Sequence, residues 1–218
     1  MKVGIFGGTF DPIHQGHLVV AEQVSQTLRL ARVIFVPGGI PPHKPASSIK
    51  AGAEDRLQMV KMAIGKNDKF CADRVEIDTG EPMYSVDTVP LVKERHEGDE
   101  WFFIIGADEA ANLLSWKEPD QLLQETSMVA ATRPGYDVSN LDHLAEALEN
   151  FDKIIPVECT LLDISATGIR RMLAEGKSIR YLVPDEVHAF IYERGLYGAQ
   201  KGREDEGLEG RLSGRQKA

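Results

Sequence analysis

The sequence predicts a single Rossmann-like α/β domain, a parallel sheet flanked by helices. Three observations lead there. Short β-branched runs alternate with amphipathic stretches, which is the rhythm of β-α-β units. Residues 101–105 form an apolar run, short and uncharged enough to be a central strand buried on both faces. A chain of 218 residues, 42% of them hydrophobic, can bury a sizeable core without covalent staples.

Taken in order, residues 2–6 read as the first strand and 16–28 as the first helix. A strand over 32–36 and a helix over 53–64 follow, the latter sending Met59, Val60, Met62 and Ile64 into the core. The next strand is expected near 75–78, then a helix over 86–96 and the buried strand 101–105. Strands near 128–131 and 153–156 extend the sheet. The final helix is punctuated by Pro184 near its first turn and Gly195 just past its end. The expected domain covers 1–198. Residues 199–218 are Gly-rich and charged, five basic against four acidic, and read as a disordered tail. Residues 37–48 form the one long Pro-rich loop, of a length that is often functional.

Composition excludes several classes. Two cysteines, Cys71 and Cys159, make neither a disulfide framework nor a zinc knuckle, so a reducing cytoplasm is expected. The apolar runs are too short to span a bilayer. The whole chain carries −9 and the body without its tail −10, at a pI near 5.2, so no basic surface invites nucleic acid. Any phosphate must therefore be handled at a local site.

Such a site is written after the first strand, in Gly7-Gly8-Thr9-Phe10-Asp11-Pro12-Ile13-His14-Gln15-Gly16-His17. Glycines at the carboxyl end of a parallel strand let a ligand approach the backbone, and the next helix start presents free amides to an anion. His14 and His17 lie three apart, so both imidazoles can face one mouth. Neither the dinucleotide fingerprint nor a P-loop is present, and Gly176-Lys177-Ser178 lacks the upstream glycine a P-loop needs. Asp11, beside Pro12, reads as a turn residue.

The string resembles the H-x-G-H signature of the nucleotidylyltransferase superfamily, and Gly7 to His17 is similar to the opening of the bacterial nicotinate-nucleotide adenylyltransferase family. Further family-like motifs follow in order. They are Pro41-Pro42-His43-Lys44, Gly106-Ala107-Asp108, Trp116, Arg133-Pro134-Gly135, Ile164-Ser165-Ala166-Thr167-Gly168-Ile169-Arg170, Tyr181-Leu182-Val183-Pro184 and Gly195-Leu196-Tyr197. Ser165 and Thr167, ahead of Arg170 on a helix start, read physically as a second anion site.

The resemblance implies adenylyl transfer from ATP to nicotinate mononucleotide, giving nicotinate adenine dinucleotide and pyrophosphate in NAD biosynthesis. It assigns catalysis to His14, His17, Lys44 and Arg170. ATP would meet Gly8, Thr9, Phe10, Gly16, Gly106, Asp108, Ser165 and Thr167. Nicotinate mononucleotide would meet Tyr84, Ser85, Trp116 and Arg133. The segment Met83-Tyr84-Ser85-Val86-Asp87-Thr88 departs from the family's S-Y-T-x-D-T at two positions, but Ser85 keeps a hydroxyl. Magnesium is expected as a complex with ATP, because no carboxylate cluster marks a protein cage. Nicotinamide mononucleotide or phosphopantetheine as acceptor, and a nucleotide sensor without turnover, stay open as alternatives. Oligomeric state is not legible, and a homo-oligomer is compatible with the sequence.

Overall fold

The structure is a computed structural model that describes residues 1–40, 48–160 and 162–200. Six strands form one sheet: β1 (Lys2–Gly8), β2 (Arg32–Pro37), β3 (Phe70–Ala72), β4 (Glu100–Gly106), β5 (Ser127–Thr132) and β6 (Ile154–Glu158). Their order is β3-β2-β1-β4-β5-β6, and every pairing is parallel. The chain winds outward from β1 to β3, then returns to lay β4 on the other edge of β1. The direction of winding reverses between β1 and β4, and a crevice opens at the carboxyl ends of those strands.

Period-two alternation builds a core on each face. Val33 and Phe35 of β2 pack on one side with α1 (Gln15–Leu28), α2 (Ala53–Ile64), α7 (Ala166–Ala174) and α8 (Asp185–Arg194). Ile34 and Val36 pack on the other with α4 (Ser85–Arg95) and α6 (Pro119–Glu125). All four side chains are fully buried, each contributing roughly 1.5–3 kcal/mol relative to exposure. The run 101–105 is buried throughout, as a strand covered on both faces requires. Met59, Val60 and Ile64 are core residues, and Met62 packs half-buried against them. Gly195 adopts the left-handed conformation that stops α8, with φ 62°.

One predicted element is of the wrong type. Residues 75–78 are helical, in α3 (Val75–Thr79), and the strand that pairs with β2 lies earlier, at Phe70–Ala72. The Val75 N–H donates to Asp73 Oδ1 at 2.8 Å, which turns the chain as soon as β3 ends. Gly80, at φ 67°, then closes the turn. Of the expected tail 199–218, residues 201–218 lie outside the described residues, while Ala199 packs half-buried against the core; the loop motif with His43 and Lys44 falls on 41–47, also outside them. Among the described residues no helix is long and apolar enough to cross a membrane.

Candidate active site

The site grows from the end of β1. Gly7 and Gly8 bring bare backbone to the crevice, and a Cβ on Gly8 would press the Phe10 ring at 3.0 Å. Phe10 itself is buried in the left-handed region, φ 46°, with its ring edge-on to His17 at 5.0 Å between centroids. His14 takes the N-cap position of α1, and its imidazole stacks on that of His17, centroids 3.7 Å apart. The His14 backbone N–H donates to His17 Nδ1 at 3.2 Å. Because Nδ1 accepts, the neutral ring carries its proton on Nε2. Gly16 makes room for this stack, since a Cβ there would lie 3.1 Å from His14 Nδ1.

Burial pulls the His14 pKa down to about 4. It holds His17 well below the ordinary histidine range as well, and the neighbouring His14 adds to that shift. Both rings are therefore neutral N–H donors near pH 7.

The second anion site closes on the first from α7. Ser165 caps the helix by accepting the Gly168 N–H at 3.1 Å, which leaves its own hydroxyl proton free to donate. Arg170 reaches back to the β1 turn, donating from Nη1 to the Asp11 carbonyl at 2.6 Å and from Nη2 to Thr167 Oγ1 at 3.1 Å. A pocket of ≈ 640 Å³ lies between the two, walled by His14, His17, Ser165, Thr167 and Arg170. Gly8, Thr9, Phe10, Gly16 and Gly106 complete the predicted residues that line it.

A smaller pocket of ≈ 230 Å³ opens on the other side of the same turn. Tyr84, Ser85 and Trp116 line it, with Trp116 set edge-on to Phe103 at 6.2 Å. Lys117 lines it too, its Nζ held 3.0 Å from both Asp87 oxygens and 5.1 Å above the Tyr84 ring. The two pockets share Gly7, Gly8, Thr9 and Glu109.

A cytidylyltransferase-like family model matches residues 5–172. A probable nicotinate-nucleotide adenylyltransferase of Rubrobacter xylanophilus is 66% identical over 203 residues, covering 93% of this chain and 95% of its own. The chain belongs to the nicotinate-nucleotide adenylyltransferase family. A probable member from Thermus thermophilus is 40% identical, over 90% of this chain and 100% of its own. In fold, the chain resembles Plasmodium falciparum nicotinic acid mononucleotide adenylyltransferase complexed with NaAD, at TM-score 0.73 and 19% identity, covering 91% of this chain and 98% of that one.

Two predicted residues of this adenylyltransferase family member, Asp108 and Arg133, line neither pocket but a third depression of ≈ 370 Å³, which adjoins the larger pocket through Gly106 and Glu109 and does not reach Tyr84 or Trp116. The strand order explains it: Arg133 directly follows β5, which lies on the far side of β4 from β1.

Other residues of the site were not anticipated. Asp11 does occupy a turn, but its carboxylate is buried and accepts from the Lys50 and Ala51 N–H groups at 2.9 and 3.0 Å and from the Tyr197 hydroxyl at 2.8 Å. Nothing near Asp11 in sequence announces a partner 186 residues away. Glu109, on α5 (Ala107–Ala111), borders all three depressions and accepts the Gly106 N–H at 3.1 Å; an acidic residue three after a helix cap is a readable signal. Glu76 was hidden by the misassigned strand, and burial raises its carboxyl pKa. Arg56, buried within α2, carries no local signal in the sequence.

Proposed function

We propose that the protein transfers the adenylyl group of ATP to nicotinate mononucleotide, releasing nicotinate adenine dinucleotide and pyrophosphate. The observation that carries this reading is the pair of unlike pockets sharing one bare backbone turn, Gly7-Gly8-Thr9. The larger is rimmed by imidazole, hydroxyl and guanidinium donors and suits a polyphosphate. The smaller is walled by Trp116 and Tyr84 and suits a flat pyridine ring, with Ser85 and the start of α4 facing its carboxylate. The shared turn is where the two phosphates would meet.

The acceptor phosphate is already anionic at neutral pH, so no enzyme nucleophile or general base is required. One of its oxygens attacks the α-phosphorus of ATP. The bond from that phosphorus to the bridging oxygen breaks, and pyrophosphate departs with the electron pair. Catalysis is then alignment plus stabilisation of charge on the α-phosphoryl oxygens and the leaving group. We assign the α-phosphoryl charge to the Nε2–H of His17. His14, Arg170 and Lys44 serve the departing phosphates, with Ser165 and Thr167 adding hydroxyls. Gly106 and Asp108 face ribose. Magnesium would enter on the phosphates of ATP, neutralising charge on the departing pyrophosphate.

Ser85 and the amides at the start of α4 offer hydrogen-bond donors at the ring pocket and favour an acidic ring over its amide. Supplying ATP and magnesium with each acceptor in turn tests this. Nicotinate mononucleotide should give the largest kcat/KM, nicotinamide mononucleotide a smaller one, and phosphopantetheine no product. A preference for phosphopantetheine would refute the assignment of the smaller pocket.

A further inference from the structure

Arg56 projects from α2 with 1% of its surface exposed and lines neither pocket. A guanidinium so deeply buried ordinarily faces a carboxylate. Among the described residues it makes no ion pair. It donates instead to three backbone carbonyls on three separate segments: Thr9 from Nη1 at 2.7 Å, Gly39 from Nη2 at 3.0 Å and Ala51 from Nε at 3.3 Å. Two of these residues pass the interaction on. The Ala51 N–H donates to Asp11 Oδ1 at 3.0 Å, and the Gly39 N–H donates to Glu76 Oε2 at 3.3 Å. The cation thus lies between two carboxylates, each one residue removed. Asp11 lines the larger pocket and Glu76 the smaller, while Thr9 lines both. From Glu76 the chain of bonds continues to the Thr88 hydroxyl on α4 at 2.7 Å.

We infer that Arg56 is a positioning residue: through Thr9, Ala51 and Gly39 it sets the phosphate-side turn and the ring-side wall in one register, so that the attacking phosphate meets the α-phosphorus in line. This rests on the adenylyl-transfer reading above. Arg56 touches no reacting atom. An apolar side chain could fill its space without the desolvation cost, so packing alone gives no reason for a charge here. What the guanidinium uniquely supplies is a rigid fork of donors aimed at separate acceptors. Lysine keeps the charge but concentrates its donors on one atom, which cannot reach all three loops.

The test is Arg56→Lys, read by kcat, both KM values and the stoichiometry of nicotinate adenine dinucleotide binding by calorimetry. Misplacing reacting groups by an ångström costs about 100-fold, and that is the expected fall in kcat. Both KM values should stay within about threefold, with one dinucleotide still bound per chain, because ground-state binding does not depend on the alignment. Unchanged kcat overturns the proposal, and so does a loss of binding stoichiometry, which would mark Arg56 as a mere fold stabiliser. If Arg56→Lys does not fold, Arg56→Gln decides by the same readouts: its single amide cannot serve all three carbonyls, so kcat should fall about 100-fold with one dinucleotide still bound per chain. An unchanged kcat overturns the proposal, and failure of both variants to fold marks Arg56 as a fold stabiliser and overturns it as well. The parent protein is assayed alongside: an inactive parent refutes adenylyl transfer itself, and an active one isolates the role of Arg56.

Discussion

At the scale of residues, the proposed chemistry centres on the stacked pair His14 and His17. Their rings are 3.7 Å apart, too close for both to carry charge comfortably, and burial disfavours charge on either. Neutral imidazoles can donate to phosphate without requiring a counter-ion in the free protein. His17→Ala removes the donor assigned to the α-phosphoryl group. It should lower kcat by about 100- to 1,000-fold, the usual cost of one such donor, while the affinity for ATP measured by calorimetry changes only a few-fold. An undiminished kcat would contradict the assignment.

The same burial makes the fold acid-sensitive. An unfolded histidine titrates near 6.5, and His14 in the folded protein near 4. Between these values the unfolded chain binds a proton that the folded chain excludes, so stability rises with pH across the window and is lost as acid is added. From pH 6.5 to 5 the loss from His14 is about 2 kcal/mol, and His17 acts in the same direction. Urea unfolding at pH 7 and pH 5 checks this: the parent should lose about 2 kcal/mol more than His14→Gln over that interval. Equal losses would mean that His14 is not buried in its neutral form.

At the scale of elements, the wall of the smaller pocket depends on how β2 hands over to α3. Gly39 follows β2 and packs directly on the backbone of α3, where a Cβ would fall 2.1 Å from the Glu76 carbonyl oxygen. Neither backbone segment can yield cheaply, since Gly39 is also held by Arg56 and Glu76. Gly39→Ala should therefore destabilise the protein by about 1–3 kcal/mol, as overpacking does, and raise the KM for nicotinate mononucleotide more than that for ATP. Thermal unfolding and steady-state kinetics measure the two effects; parallel changes in both KM values would argue against a local role.

This element was the least legible in the sequence. The long helices, the buried β4 run and the glycine punctuation of α8 carry local signals, and the structure follows them. α3 does not. Its first residues are apolar enough to read as a strand, and what makes them helical is the Asp73 carboxylate accepting the Val75 N–H. The true β3 has only three residues at a sheet edge, too few for a pattern. The site divides in the same way. Residues in short motifs, such as His14, His17, Ser165 and Arg170, were readable and lie around one pocket. Arg56, Glu76 and the Asp11 carboxylate work through loop peptides brought together only by the fold, and Arg133 depends on strand order.

At the scale of the whole molecule, a chain with net charge −9 handling two polyanions is resolved by geometry rather than composition. The sheet order puts the winding reversal between β1 and β4, and the donors of α1, α7 and the β1 turn converge there against the global charge. On the proposed function, the two pockets hold two substrates whose phosphates meet over Gly7-Gly8-Thr9. Incubating the protein with α-labelled ATP, magnesium and nicotinate mononucleotide tests it directly. The label should appear in nicotinate adenine dinucleotide with one pyrophosphate released per product; retention of the label in ATP, with nucleotide still bound, would make the protein a sensor and contradict the account.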